Sequence, residues 1–124
     1  MSNPQQQYLE LVRQYDEAVR NYRIDRDYWN KFSFDEQMGN IGSEVGRALA
    51  AKRRGDQERL RGALYRGLDL FDATAELWAT KKQSRMKTIL HDRERFLESI
   101  TTDKEDPTLE DYFMQFALAA RRDR

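Results

Sequence analysis

The segment from Ser33 to Gly55, SFDEQMGNIGSEVGRALAAKRRG, constrains the chain more than any other, because its composition suits only a helix buried around most of its circumference. At about 100° per residue, Phe34, Met38, Ile41, Val45, Ala48 and Leu49 fall on one arc. Gly39, Gly42, Ser43, Gly46 and Ala50 form a second arc of small residues beside it, and only the third arc is polar. Glycine inside a helix costs about 1 kcal/mol relative to alanine, so three of them cost about 3 against a domain stability of roughly 5–15 kcal/mol. The expected compensation is another backbone packed close against the bare face. Gly67, in the middle of a later apolar stripe, is the expected opposite surface.

The punctuation of this helix is explicit. Ser33 and Glu36 have the spacing of a capping box. Lys52, Arg53 and Arg54 suit the negative end of the helix dipole, and Gly55 suits the left-handed residue that closes it. Asp56 can cap the next helix at once, so the second and third helices are expected to be antiparallel neighbours.

Other helices follow from periodicity and caps. Asn3 and Pro4 begin a first helix expected over 4–28, with Tyr8, Val12, Tyr15, Val19 and Tyr22 on its stripe. A third is expected over 57–81, where Asp69, Asp72 and Glu76 form an acidic row read as outward and solvated. A fourth is expected over 85–101, the polar stretch 80–84 being either a turn or a change of face within one helix. Asp106 as cap and Pro107 as first residue begin a fifth over 107–121, with Leu109, Tyr112, Phe113, Phe116, Ala117 and Ala120 buried. No strand pattern interrupts these. The expected fold is all-α, a single domain over 1–124 built as an up-and-down bundle of four to five helices.

Composition bounds the function. Cysteine is absent, which excludes disulfides, thiolate zinc sites and cysteine nucleophiles and suits a cytoplasmic location. Lysine plus arginine equals aspartate plus glutamate at 22 each, so no global field draws the chain to DNA or to an anionic membrane. No apolar run approaches the length of a membrane span. No Glu-x-x-His pair stands where a di-iron bundle needs one, Asp69 and Asp72 alone do not make the paired motifs of all-α nucleotide pyrophosphohydrolases, and mid-helix glycines do not make a phosphate loop. No metal and no cofactor is expected.

Two site hypotheses remain. Asn40, Glu44 and Arg47 follow one polar edge of the central helix and would line a cleft or interface if another surface covered them. The run Arg85-Met-Lys-Thr-Ile-Leu-His91 places an arginine six positions before the only histidine. It resembles the Arg-x(4–6)-His pattern of HEPN helical-bundle ribonucleases. That resemblance implies Arg85 as phosphate-binding group, His91 as acid–base group and RNA as substrate, with Met86 standing where the family has a polar residue.

A wider resemblance runs through FSFDEQMGNIGSEVGRALAAKRRGD, ALYRGLDLFDAT and LEDYFMQFALAARR, and is most specific in NIGSEVGRA. These segments are similar to a small family of uncharacterised bacterial and archaeal helical-bundle proteins, which implies a bundle fold and no catalytic residues. The functional expectation is therefore a non-catalytic interaction or assembly module, with a protein partner or itself as a homodimer. It would use aromatic and small-residue helix faces, with Gly39, Gly42, Ser43, Gly46, Ala50 and Gly67 as packing residues. A HEPN-like ribonuclease or toxin–antitoxin component using Arg85 and His91 is the alternative.

Overall fold

The structure, a computed structural model, describes residues 4–123, and within them every side chain except those at positions 4, 5, 7, 8 and 16. The expected cap at Asn3 and the expected core position of Tyr8 therefore lie outside the described residues. The described residues form six helices, α1 (Pro4–Tyr22), α2 (Arg26–Trp29), α3 (Phe34–Arg54), α4 (Gln57–Lys81), α5 (Gln83–Thr101) and α6 (Leu109–Arg122), and no strand.

Helix α3 is the centre of the molecule. Both halves of the capping box form, the Ser33 side chain accepting from the Glu36 N–H and the Glu36 carboxylate from the Ser33 N–H. The helix ends on Gly55 at φ 72°, and Asp56 caps α4 by accepting from the Arg59 N–H. Met38, Ile41, Val45 and Ala48 are completely buried. The hairpin that follows is antiparallel. Gln37, near the start of α3, meets Trp78, near the end of α4, and Glu44 meets Arg66.

The break between α4 and α5 is a single extended residue, Lys82 at φ −159° and ψ 106°. It reverses the chain, since Phe71 packs on Phe96 while Trp78 meets Arg85. On the other side of α3, α6 also runs antiparallel to it, with Gly39 at Ala117, Gly42 at Phe113 and Arg53 at Glu110.

Four expectations are corrected. The first helix does not reach residue 28. It stops at Tyr22, and a separate turn begins at Asp25, whose side chain accepts from the N–H groups of Asp27 and Tyr28. The last helix starts at Leu109 rather than 107, because Asp106 accepts from both the N–H and the hydroxyl of Thr108 and holds an isolated turn ahead of it. The glycine pairing is also different. Gly67 faces the edge of the Phe96 ring on α5 and, on α3, the Glu44 side chain rather than the small-residue arc, which receives α6.

The acidic row of α4 is the fourth correction. Asp69 is fully buried, accepting from the Ile24 N–H at 2.6 Å and from Arg26 at 2.9 Å. Asp72 accepts from the Tyr15 hydroxyl at 2.7 Å and from Arg93 at 3.0 Å. Glu76 pairs with Arg26 and remains half-exposed. A carboxylate taken out of water must be paired and hydrogen-bonded, and the chain between α1 and α2 meets that need by turning its backbone toward α4. Further along the same face, the Trp29 indole donates to Thr74, and Gln37 accepts from Trp78 while donating to the Trp29 carbonyl.

Candidate functional site

The polar edge of α3 does not act as one row. Asn40 is exposed and donates back to the Glu36 carbonyl of its own helix. Glu44 lies at the α3–α4 crossing, buried, and accepts from Arg47 at 2.9 Å and from Arg66 at 3.2 Å. Its burial follows from Gly67, since a Cβ on that residue would stand 3.6 Å from the Glu44 Cβ. Arg47 and Ala50 line an open groove of about 520 Å³ together with Arg54, Asp56, Arg59 and Arg66. Arg59 is paired with Asp56 in that groove, so most of its positive charge is already balanced within the chain.

Arg85 and His91 are not brought together within one chain. Six helical residues separate two side chains by about 9 Å along the axis and about 120° around it. The Arg85 guanidinium lies 4.6 Å from the ring centres of both Phe34 and Trp78. This stacking covers the charge with aromatic faces and fastens the start of α5 to α3 and α4. His91 is exposed. A composite pair would need Arg85 from one chain and His91 from another.

The small-residue arc divides into a packed part and an open part. A Cβ on Gly39 would stand 3.2 Å from the Ala117 Cα, and one on Gly42 only 2.6 Å from the Phe113 Cβ, so these two glycines are where α6 comes nearest. Gly46, one turn on, would meet nothing within 4 Å. Ser43 is exposed as well. Gly42, Ser43 and Gly46, with Glu110, Met114 and Ala117, line a shallow groove of about 210 Å³ between α3 and α6.

Met114, on the wall of that groove, is a large apolar residue that the expected buried stripe of α6 leaves out. Five large apolar side chains stand roughly half-exposed among the described residues, namely Leu9, Tyr28, Leu90, Met114 and Leu118. Met114 at 54% and Leu118 at 50% are the two that share a helix, one turn apart on the side of α6 away from its buried stripe. The available signal was that the stripe Leu109, Tyr112, Phe113, Phe116, Ala117 and Ala120 leaves both of them out.

Perturbed acidities mark packing rather than a reactive centre. Burial raises the Tyr112 hydroxyl, with further contributions from its hydrogen bond to Asp92. Burial likewise raises Asp92, against the opposing hydrogen bond from Tyr112 and the nearby Arg95. Asp106 is lowered to about 2 by its bonds from Thr108 and Arg95. Each of these groups already has its partner inside the fold. Among the described residues no group of three or more histidine, aspartate or glutamate side chains is placed to hold a metal ion, and no helix is long and apolar enough to cross a membrane.

The site and fold define an all-α protein with one uncovered apolar helix face beside an open small-residue groove. Comparison with known proteins finds no matching family model, no similar curated protein and no similar solved structure.

Proposed function

We propose that this chain is a non-catalytic interaction module of the cytoplasm, an up-and-down bundle that docks a protein partner through the outer face of α6 and the adjoining groove of α3. The observation that carries the reading is the pair Met114 and Leu118, half-exposed one turn apart on a helix whose opposite side is spent on the core. Exposed apolar side chains gathered at one place, next to a helix backbone left bare at Gly46, are what a docking surface requires and what an isolated fold has no use for. The aromatic cluster of Phe34, Tyr112, Phe113 and Phe116 beneath α6 gives that surface a rigid floor.

The test is site-specific photo-crosslinking in the native host. With Met114 replaced by benzoylphenylalanine, a covalent protein adduct is expected. Replacement of Glu58, exposed at the start of α4, serves as the control and is expected to give none. If Met114 captures nothing beyond the Glu58 background, the interaction reading is wrong.

A further inference from the structure

We propose that the partner seated on the α6 face is a second copy of this chain, related by a two-fold axis that passes between the two α6 helices, perpendicular to both and level with their middles. The proposal rests on the interaction reading above and names its occupant. Helix α6 is about 21 Å long at 1.5 Å per residue. Glu110, Asp111, Met114, Leu118, Arg121 and Arg122 are its exposed charged and large apolar residues, and at about 100° per residue they fall within a sector of about 120°.

Along that sector the order is acidic, apolar, apolar, basic. An antiparallel copy centred near position 116 sets Glu110 beside Arg121 on one flank and Asp111 beside Arg122 on the other, with Met114 and Leu118 meeting along the midline, each pair occurring twice. The face is thus complementary to itself, which is the condition for an isologous two-fold contact. A parallel arrangement would put like charge on like charge, which is destabilising.

The helix dipole alone would favour acids at the start of α6 and bases at its end. It does not account for Met114 and Leu118 between them, nor for the bare backbone beside them. A glycine that no neighbour approaches is an uncompensated loss of helix propensity in the lone chain. In the dimer, Gly46 and Ser43 form the shallow wall into which apolar side chains from the partner's α6 fit. Asp111, Arg121 and Arg122 have no intramolecular ion pair among the described residues, whereas Glu110 is already shared with Arg53. Asp111 and Arg122, neither of them committed within the chain, are therefore the pair that fixes the register.

One helix face and a groove give a contact at or below the lower end of the roughly 1,200–2,000 Å² typical of stable interfaces, so the dimer is expected to dissociate in about the micromolar range. Sedimentation equilibrium of the full chain should show a reversible monomer–dimer equilibrium. Asp111→Arg and Arg122→Asp should each weaken it about tenfold, by turning two attractions into two repulsions, and the double variant should restore it. These positions are exposed, and unchanged helicity by circular dichroism checks that the variants fold. The chain has no native cysteine, so register can be read from thiols introduced one per chain. A mixture of Met114→Cys and Leu118→Cys chains should form a disulfide dimer faster than either variant alone.

A dimer that the double charge reversal does not restore, or equal crosslinking in the mixed and unmixed samples, would overturn the proposal. So would a chain that stays monomeric up to about 1 mM, well above the range expected for an interface of this size. Should the chain be monomeric while benzoylphenylalanine at Met114 captures a different protein, self-association fails and the interaction reading stands. Should that position capture nothing, both fail.

Discussion

The glycines of α3 have the same chemistry and different surroundings, and the difference sets the sign of what alanine does at each. At Gly42 a methyl group would stand 2.6 Å from the Phe113 Cβ, an atom tied directly to the α6 backbone, so the helices must separate to admit it. Overpacking of this kind costs about 1–3 kcal/mol, more than the roughly 1 kcal/mol of helix propensity gained. At Gly46 nothing lies within 4 Å, and the backbone is helical with no positive φ. Gly46→Ala is therefore expected to stabilise the monomer by about 0.5–1 kcal/mol and Gly42→Ala to destabilise it. Urea denaturation at low protein concentration, where the chain is monomeric, measures both. Equal effects of one sign at the two positions would contradict the packing described.

Helices whose ends are written in caps were legible in the sequence, and those whose ends depend on a distant partner were not. Ser33, Glu36 and Gly55 act within a few residues of themselves, so the bounds of α3 follow from local chemistry. Tyr22 ends α1 for a reason that lies 45 positions away from Ile24, the need of Asp69 for a backbone N–H. Periodicity placed Asp69 and Asp72 opposite the α3 face, and that side of α4 is covered by α1 and the turn that follows it rather than by water. Arg26, a charged residue at the position where the stripe of Tyr15, Val19 and Tyr22 would continue, is the trace of this in the sequence. The open groove and the exposed pair on α6 were visible only as small residues and leftovers from a stripe, because which of two neighbours a glycine faces is a tertiary fact. The α5–α6 contact carries a prediction in pH. Burial raises the carboxyl of Asp92 above its ordinary value of 3.8, so the stability linked to its protonated form is present below 3.8 and lost as pH rises through the folded value. Asp92→Asn keeps an acceptor for the Tyr112 hydroxyl and removes the charge. The variant should gain on the wild type as pH rises above 3.8 and level off once the folded carboxyl is fully ionised, measured as the difference in denaturation midpoints. A variant that instead loses ground toward neutral pH would mean that the hydrogen bond from Tyr112 and the nearby charge of Arg95 outweigh burial.

At the scale of the molecule the helices are unequally held, and this decides how the fold opens. Helix α3 touches α4, α5 and α6 and carries a run of fully buried side chains from Met38 to Leu49, so exposing it requires dismantling the core. Helix α1 packs on α4 and α5, through Leu11 and Tyr15 and two directed hydrogen bonds, from the Tyr65 hydroxyl to the Leu11 carbonyl and from the Tyr15 hydroxyl to Asp72. Local opening costs less where fewer apolar contacts are broken. Native-state hydrogen exchange should therefore place the amides of α1 in a unit that opens below the global unfolding free energy, and those of α3 at the global value. Tyr65→Phe removes the bond to the Leu11 carbonyl and leaves the ring packed on Tyr15 and Tyr22 at centroid distances of 5.9 and 5.5 Å. A lost hydrogen bond of this type is worth about 0.5–1.5 kcal/mol, and that loss should appear as faster exchange in α1 while α3 shifts less. Equal protection in α1 and α3, or an equal loss in both on Tyr65→Phe, would mean that the chain opens only as one cooperative unit and that α1 belongs to the core rather than covering it.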